Sequence, residues 1–463
     1  MPKLNSETDL QYKRRVIDIK SESFCGAKWY NATIWLGSGQ TTSCHHPLPH
    51  QVSVAAVEDN PKALHNTPEK KHQRAQMQAG ERPSGCEYCW KIEDMYKNDE
   101  QYAKSDNPVP ISDRVYKTVI YSDEDLDRAY RTPADQDVDL QTLEIAFDRT
   151  CQFACSYCNP AFSSTWVKDI KQHGAYTNLV SDGRNHFTHA HNSSQLYKFG
   201  ETNPYVEAFH KWWESDLHRT LKELRITGGE PLMSAETWKL IEWFKTNKGK
   251  SKTRLAINSN LGTDVDVDRL LAAIDGVEVD LYTSNEALGV QAEYIRDGLV
   301  WQDWCNNVER LLQSYRFRGL HVMCTVNLLC LDSLPEFLDV VMNWKLEYGK
   351  DAINFSLNIL RFPSFQSLTI LPSDIRQSYA GNLYAFSNRW GRGTHFDLFH
   401  EFEQNQLDRL LDYIDVVQKP HEEAMSQQIL QRDFKNFYMQ YDQRRGKDFA
   451  KTFPALADWY DTL

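Results

Sequence analysis

Ten cysteines are distributed unevenly over 463 residues, and three of them share one short segment, Cys151-Gln152-Phe153-Ala154-Cys155-Ser156-Tyr157-Cys158. Spacings of x3 and x2 let a single loop wrap a small metal centre, and thiolates are natural ligands of iron–sulfur clusters. Only three ligands are offered locally, so the fourth iron of a cube would stay open, as chemistry at a metal requires. The same trio is also a donor set for structural zinc. A second set comprises Cys25, Cys44 and the pair Cys86-Glu87-Tyr88-Cys89. Four thiolates in two separated pairs can close around one centre, whether iron–sulfur or zinc. His45 and His46 adjoin Cys44, but the four-cysteine set is complete without them. Cys305, Cys324 and Cys330 lie in apolar segments without ligand spacing and read as core.

The elements that would position these thiols follow from hydrophobic pattern. Leu143–Phe147 reads as a buried strand leading into the cysteine loop, followed by a helix over 162–172. Further strands are expected at Leu224–Thr227, Arg254–Asn258, Val277–Tyr282, His321–Val326 and Ile353–Leu360. Helices at Glu236–Asn247, Asp266–Ala273, Trp301–Arg316 and Leu334–Leu346 alternate with them. Such alternation predicts an α/β fold with a parallel sheet, a full or partial barrel. Upstream, Trp29–Leu36 and Gly37-Ser38-Gly39-Gln40 read as a hairpin with a thiol at either end, and residues 1–20 as an extended polar lead-in. The basic run Lys70-Lys71-His72-Gln73-Arg74 reads as a solvated helix face. A polar stretch over 173–205 contains His186, His189 and His191, read as loop histidines rather than a metal site.

The Cys151–Cys158 segment resembles the radical S-adenosylmethionine (radical SAM) superfamily, whose hallmark is C-x3-C-x-aromatic-C, with Tyr157 at the aromatic position. The resemblance implies a [4Fe–4S] cluster on Cys151, Cys155 and Cys158, with its open iron chelated by S-adenosylmethionine (SAM). One-electron cleavage of SAM then gives a 5′-deoxyadenosyl radical that abstracts hydrogen from a substrate. It also implies a partial (β/α)6 barrel. Gly228-Gly229-Glu230-Pro231 resembles the family's GGEP motif at a strand end, where the backbone would receive the SAM amino group. Asn258-Ser259-Asn260 matches the polar end of the next strand, and Ser284 and Arg296 match contacts to the SAM carboxylate. Arg296 also reads as a plain surface arginine.

Cys25, Cys44, Cys86 and Cys89 resemble the SPASM and twitch modules, which implies an auxiliary [4Fe–4S] cluster; here the module precedes the barrel rather than following it. The expected organisation is an auxiliary-cluster module over 1–96, a bridge over 97–140, a barrel over 141–372 with an insertion near 173–205, and a helical region over 373–463. The resemblance implies a peptide or protein substrate and an electron donor such as flavodoxin or ferredoxin. Modification of a nucleotide, tRNA or small metabolite is the alternative within the class, and a non-catalytic zinc scaffold the alternative outside it. The formal net charge of −12 weighs against nucleic acid as a general partner. No apolar stretch reaches the ~20 residues of a membrane span, and a polar, mixed-charge start gives no signal peptide. The expected compartment is the reducing cytoplasm.

Overall fold

The computed structural model describes Lys3 and residues 7–94, 111–182, 186–198, 200–314, 316–391, 396–416 and 424–463. The chain divides into two compact units, one of Met1–Phe147, Leu196–Arg225 and Gly249–Arg254, the other of Asp148–Gln195, Ile226–Lys248 and Leu255–Leu463.

In the first unit, β1 (Asn31–Trp35) pairs antiparallel with β2 (Gln40–Thr42), with Trp35 opposite Gln40, and β2 pairs with β3 (His50–Gln51). On its other side β1 runs parallel to β4 (Thr142–Ala146), Asn31 beside Thr142. The expected hairpin therefore forms. Its turn needs glycine at Gly39, where φ is +66° and an added Cβ would lie 2.1 Å from the Tyr205 ring. Two expectations fail here. From Thr8 onward the expected extended lead-in is helical: Thr8 caps a helix over Asp9–Tyr12 that continues through Lys13–Ile17 and buries Tyr12, Val16 and Ile17. Three apolar residues at helical spacing suffice to dock a segment that is polar elsewhere. The basic run is not wholly solvated either. Helix Pro68–Gln78 turns Lys70 and Arg74 inward, four residues apart on one face, at 1% and 0% exposure. Polar groups meet them there: Lys70 donates to Thr41 Oγ1 (2.8 Å) and Thr42 O (3.1 Å), Arg74 to Asn66 Oδ1 (3.0 Å) and Lys28 O (3.2 Å).

The second unit begins with the cysteine loop, which contains β5 (Ala154–Cys155). Strand β6 (Glu223–Thr227) runs through the boundary at Arg225. Then β7 (Arg254–Ser259), β8 (Val279–Ser284), β10 (Gly319–Val326) and β11 (Ile353–Ile359) lie side by side in parallel. Between β8 and β10, β9 (Arg296–Asp297) pairs antiparallel with β5. Helices Val267–Ile274, Trp301–Ser314 and Leu334–Tyr348 connect the parallel strands and bury their apolar faces. The α/β class with a parallel sheet is thus observed, with strand limits within two residues of expectation. Parallel strands covered on both faces leave near-continuous apolar runs in the sequence, so these strands were easy to find.

Beyond β11 the described chain is mainly helical, as expected, with Ser373–Gly391, Glu401–Val416, Ala424–Arg445 and Pro454–Asp461. Phe434, Phe437, Tyr438 and Tyr441 are buried along one of these helices. Tyr176 and Phe187 join the same core: Tyr176 stacks on Phe437 at 4.9 Å, and Phe187 packs against it at 4.7 Å. Cys305, Cys324 and Cys330 are buried, as expected. Among the described residues no helix is long and apolar enough to cross a membrane.

Candidate functional site

Three consecutive hydroxyls after the cysteine loop fasten it down. Ser163 caps helix Ser164–His173 and donates to Phe153 O at 2.6 Å. Ser164 Oγ accepts the Cys151 N–H at 3.1 Å, and Thr165 donates to Cys151 O at 2.7 Å. The Trp166 indole N–H reaches Cys155 O at 3.0 Å. The other side of the loop is held by β9 and by helix Ala424–Arg445, where the Tyr438 hydroxyl meets Ser156 Oγ at 3.2 Å. Held at these points, the loop presents its three sulfurs from a braced frame.

The thiols lie in one another's fields. Burial pushes Cys151 up to about 12, with Cys155 adding to it. Burial likewise pushes Cys155 up to about 11, opposed by the Arg296 charge, and Cys158 is raised by burial and by both other thiols. Three crowded, desolvated thiols keep their protons unless a cationic centre compensates them. N–H groups are already aimed at the sulfurs: Phe153 N lies 3.4 Å from Cys151 Sγ, Asn260 Nδ2 4.0 Å from the same sulfur, and Arg296 Nη1 3.9 Å from Cys155 Sγ. Such donors stabilise sulfur that carries negative charge, so the donor set fits an iron–sulfur centre.

Gly228 and Gly229 abut this loop. Gly228 has φ +129°, and a Cβ on Gly229 would fall 2.2 Å from Thr150 O. The close backbone approach at Gly229 is therefore made to the cysteine loop itself, sealed by the Glu230 N–H donating to Thr150 O at 2.6 Å. Glu230 is 1% exposed and joins the ends of β6 and β7. Its carboxylate accepts from Ser259 Oγ (2.9 Å), Asn260 N (2.6 Å) and Leu232 N (3.0 Å). Burial raises its pKa to about 7, and those three hydrogen bonds oppose the rise. Pro231 opens the buried turn that follows. The Asn260 side chain exchanges hydrogen bonds with Gln152 at 3.1 and 3.2 Å. Asn258 differs: its Nδ2 faces Met323 Sδ at 3.6 Å, while its Oδ1 is buried with no hydrogen-bond partner. An orphaned acceptor of this kind suits a polar ligand. Ser284 ends β8 opposite Met323 in the neighbouring strand.

Arg296 is no surface arginine. It is 4% exposed and paired with Glu286, Nη2 to Oε2 at 2.6 Å. Burial works against its charge, but Glu286, Tyr157 and Cys155 together hold it above the ordinary arginine value. The Tyr157 hydroxyl donates to Glu286 at 3.2 Å, and the Arg296 guanidinium lies 5.5 Å from the Tyr157 ring centre. Tyr157, Glu286 and Arg296 thus form one buried polar knot beside Cys155. Sequence reasoning missed Glu286; the available signal was an acid just past the end of an apolar strand. It also missed Gln152, which gave none.

In the first unit, Cys25, Cys44, Cys86 and Cys89 line one cavity. Burial raises Cys25 to about 11, with Cys86 and Cys44 adding, and raises Cys89 to about 12, with Cys25 adding. Residues separated by up to 64 positions in sequence are thereby gathered as a four-thiol donor set, with Lys28 and Lys117 also on the wall. Among the described residues no three of these sulfurs lie within 4.8 Å of one another, so the set is more open than a single zinc ion needs and suits a larger thiolate-bound centre, whose negative charge the nearby cations match. Of the histidines near residue 190, His189 and His191 stack at 4.0 Å. Among the described residues they do not form a three-ligand group, whereas His45, His46 and Asp113 do.

No protein-family model and no curated protein matches the chain. Similar solved structures include Streptococcus suis SuiB bound to the precursor peptide SuiA, at 11% identity and a TM-score of 0.36, covering 69% of this chain and 63% of that one. Another is anSMEcpe with bound AdoMet, at 14% identity and a TM-score of 0.32, covering 70% and 100%. A third is TYW1 with a lysine–pyruvate adduct, at 16% identity and a TM-score of 0.27, covering 54% and 71%. In the first of these comparisons the chain spans less than two thirds of SuiB, and all three likenesses are remote.

Proposed function

We propose that this chain is a radical SAM enzyme whose catalytic part is the α/β barrel over 141–372, preceded by an auxiliary-cluster module over 1–96 and a bridge over 97–140, and followed by the helical region over 373–463. The observation that carries the reading is the cysteine loop: three thiols on a backbone held from both sides, N–H groups aimed at the Cys151 and Cys155 sulfurs, and Gly229 packed against Thr150. A [4Fe–4S] cluster on Cys151, Cys155 and Cys158 would supply one-electron cleavage of SAM to a 5′-deoxyadenosyl radical.

The chain's own residues bind and orient. Gly228 and Gly229 keep the β6 turn against the loop, and Glu230 locks that turn to Ser259 and Asn260. Asn258 offers an unpaired acceptor, and Ser284 a hydroxyl at the end of β8. Arg296, held charged by Glu286, sets the electrostatics at Cys155 and is the candidate partner for the SAM carboxylate. Cys25, Cys44, Cys86 and Cys89 would hold a second [4Fe–4S] cluster that anchors substrate or relays an electron. A peptide or protein side chain is the substrate class we favour, with flavodoxin or ferredoxin as electron donor and the cytoplasm as compartment.

Anaerobic reconstitution with iron and sulfide, followed by SAM and a reductant, tests the proposal. Two cubes predict about eight irons per chain and release of 5′-deoxyadenosine. Cys155→Ala should abolish that product, whereas Cys86→Ala should lower the iron count and still release it. Protein that takes up zinc and never cleaves SAM would overturn the reading.

A further inference from the structure

Two residues on the wall of the four-cysteine cavity, His46 and Asp113, join His45 in a second donor set of different chemistry. His45 and His46 directly follow Cys44, and Asp113 lies in helix Asp113–Tyr116. Two imidazole nitrogens converge on one carboxylate oxygen: His46 Nε2 lies 2.7 Å and His45 Nε2 3.4 Å from Asp113 Oδ2. All three donor atoms lie within 4.8 Å of one another. His46 is fixed by stacking on Tyr88, ring centres 3.9 Å apart and planes 16° from parallel, and the His45 ring sits 4.3 Å from that of His46.

Hydrogen bonding explains half of this arrangement. A His46 N–H donating to Asp113 at 2.7 Å is a good hydrogen bond. His45 is 63% exposed and has water available, so an exposed charge contact at 3.4 Å gives it little reason to turn the same way. A shared ion supplies the reason. Two ligand atoms each ~2.0–2.1 Å from a tetrahedral ion lie about 3.4 Å apart, close to the His45–Asp113 separation. Imidazoles with a carboxylate suit zinc and iron(II), whereas calcium and magnesium take oxygen-only sets.

We propose that His45, His46 and Asp113 bind one divalent transition ion, zinc or iron(II), at the rim of the four-cysteine cavity and without a thiolate ligand. Three protein ligands and the exposed His45 side leave a coordination position toward solvent, the pattern of an ion that can take water or a further ligand rather than one that only braces the fold. The site does not depend on radical chemistry, because none of its residues belongs to the Cys151 loop.

The probe is cobalt(II) added to anaerobically reconstituted full-length protein whose cysteine sites are already filled. Expected is one tightly bound cobalt per chain, showing d–d bands without thiolate-to-cobalt charge transfer and without loss of iron. His45→Ala, at an exposed position, should weaken binding by at least the roughly 10–100-fold that even outer-shell partners are worth. Asp113→Asn should abolish it while the iron content stays at the wild-type value. Cobalt that binds equally well in His45→Ala, that shows thiolate charge transfer, or that fails to bind at all would overturn the proposal.

Discussion

Glu286→Leu removes one half of the buried pair beside Cys155 and leaves the other half charged. In the native chain Glu286 and Arg296 side chains are 1% and 5% exposed and meet at 2.6 Å. Glu286 also accepts from the Tyr157 hydroxyl at 3.2 Å and from the Thr325 N–H at 3.4 Å. Breaking a buried pair by removing one partner costs about 3–5 kcal/mol, because the remaining charge has neither water nor counter-charge. With an m-value near ~3 kcal/mol/M, the urea midpoint should fall by roughly 1–1.7 M in anaerobic titrations. Glu286→Leu/Arg296→Met removes the stranded charge as well and should recover most of that loss. A single-variant shift below about 0.3 M, or a double variant less stable than the single, would refute the assignment of this pair as a buried, mutually dependent unit.

Gly229→Ala places a methyl 2.2 Å from Thr150 O, a backbone atom that cannot rotate away. The β6 turn and the cysteine loop should separate at a cost of about 1–3 kcal/mol, with iron at the Cys151 site falling while iron at the Cys25 set is retained. Glu230 titrates at about 7 in the folded chain against a reference of 4.5. The folded state therefore binds its proton more tightly, so this contribution is complete below about pH 4.5 and is lost as pH rises through about 7, on the order of 3 kcal/mol in all. Glu230→Gln should flatten that part of the stability–pH curve, and an unchanged slope would contradict the raised value. Cys44→Ser should lower iron by about four per chain and leave SAM cleavage in place, as read by iron content and 5′-deoxyadenosine.

What the sequence disclosed was local and patterned. Three thiols within eight residues carry their chemistry in their spacing, and strands such as Arg254–Ser259 announce themselves by an apolar centre, Leu255-Ala256-Ile257. What stayed hidden depends on partners far along the chain. Glu286 gains meaning only from Arg296 and from Tyr157, 129 positions away, and helix Ala424–Arg445 only from Tyr438, which reaches Ser156 across 282. Lys70 and Arg74 misled because a charged run reads as solvated until the carbonyls that meet it are known. His46 and Asp113, 67 residues apart, look incidental until one oxygen brings them together. Gly229 was visible as a glycine, yet its closest neighbour, Thr150, was not.

The most direct measurement isolates the Cys151 centre. Protein carrying Cys25→Ala and Cys86→Ala, reconstituted and reduced without oxygen, should give the electron paramagnetic resonance signal of one reduced [4Fe–4S] cluster, and SAM should change that signal by binding the open iron. The change should vanish in the additional Cys155→Ala variant. A signal indifferent to SAM, or a Cys151 site that holds only zinc, would contradict the claim that these three cysteines leave an iron open for chemistry.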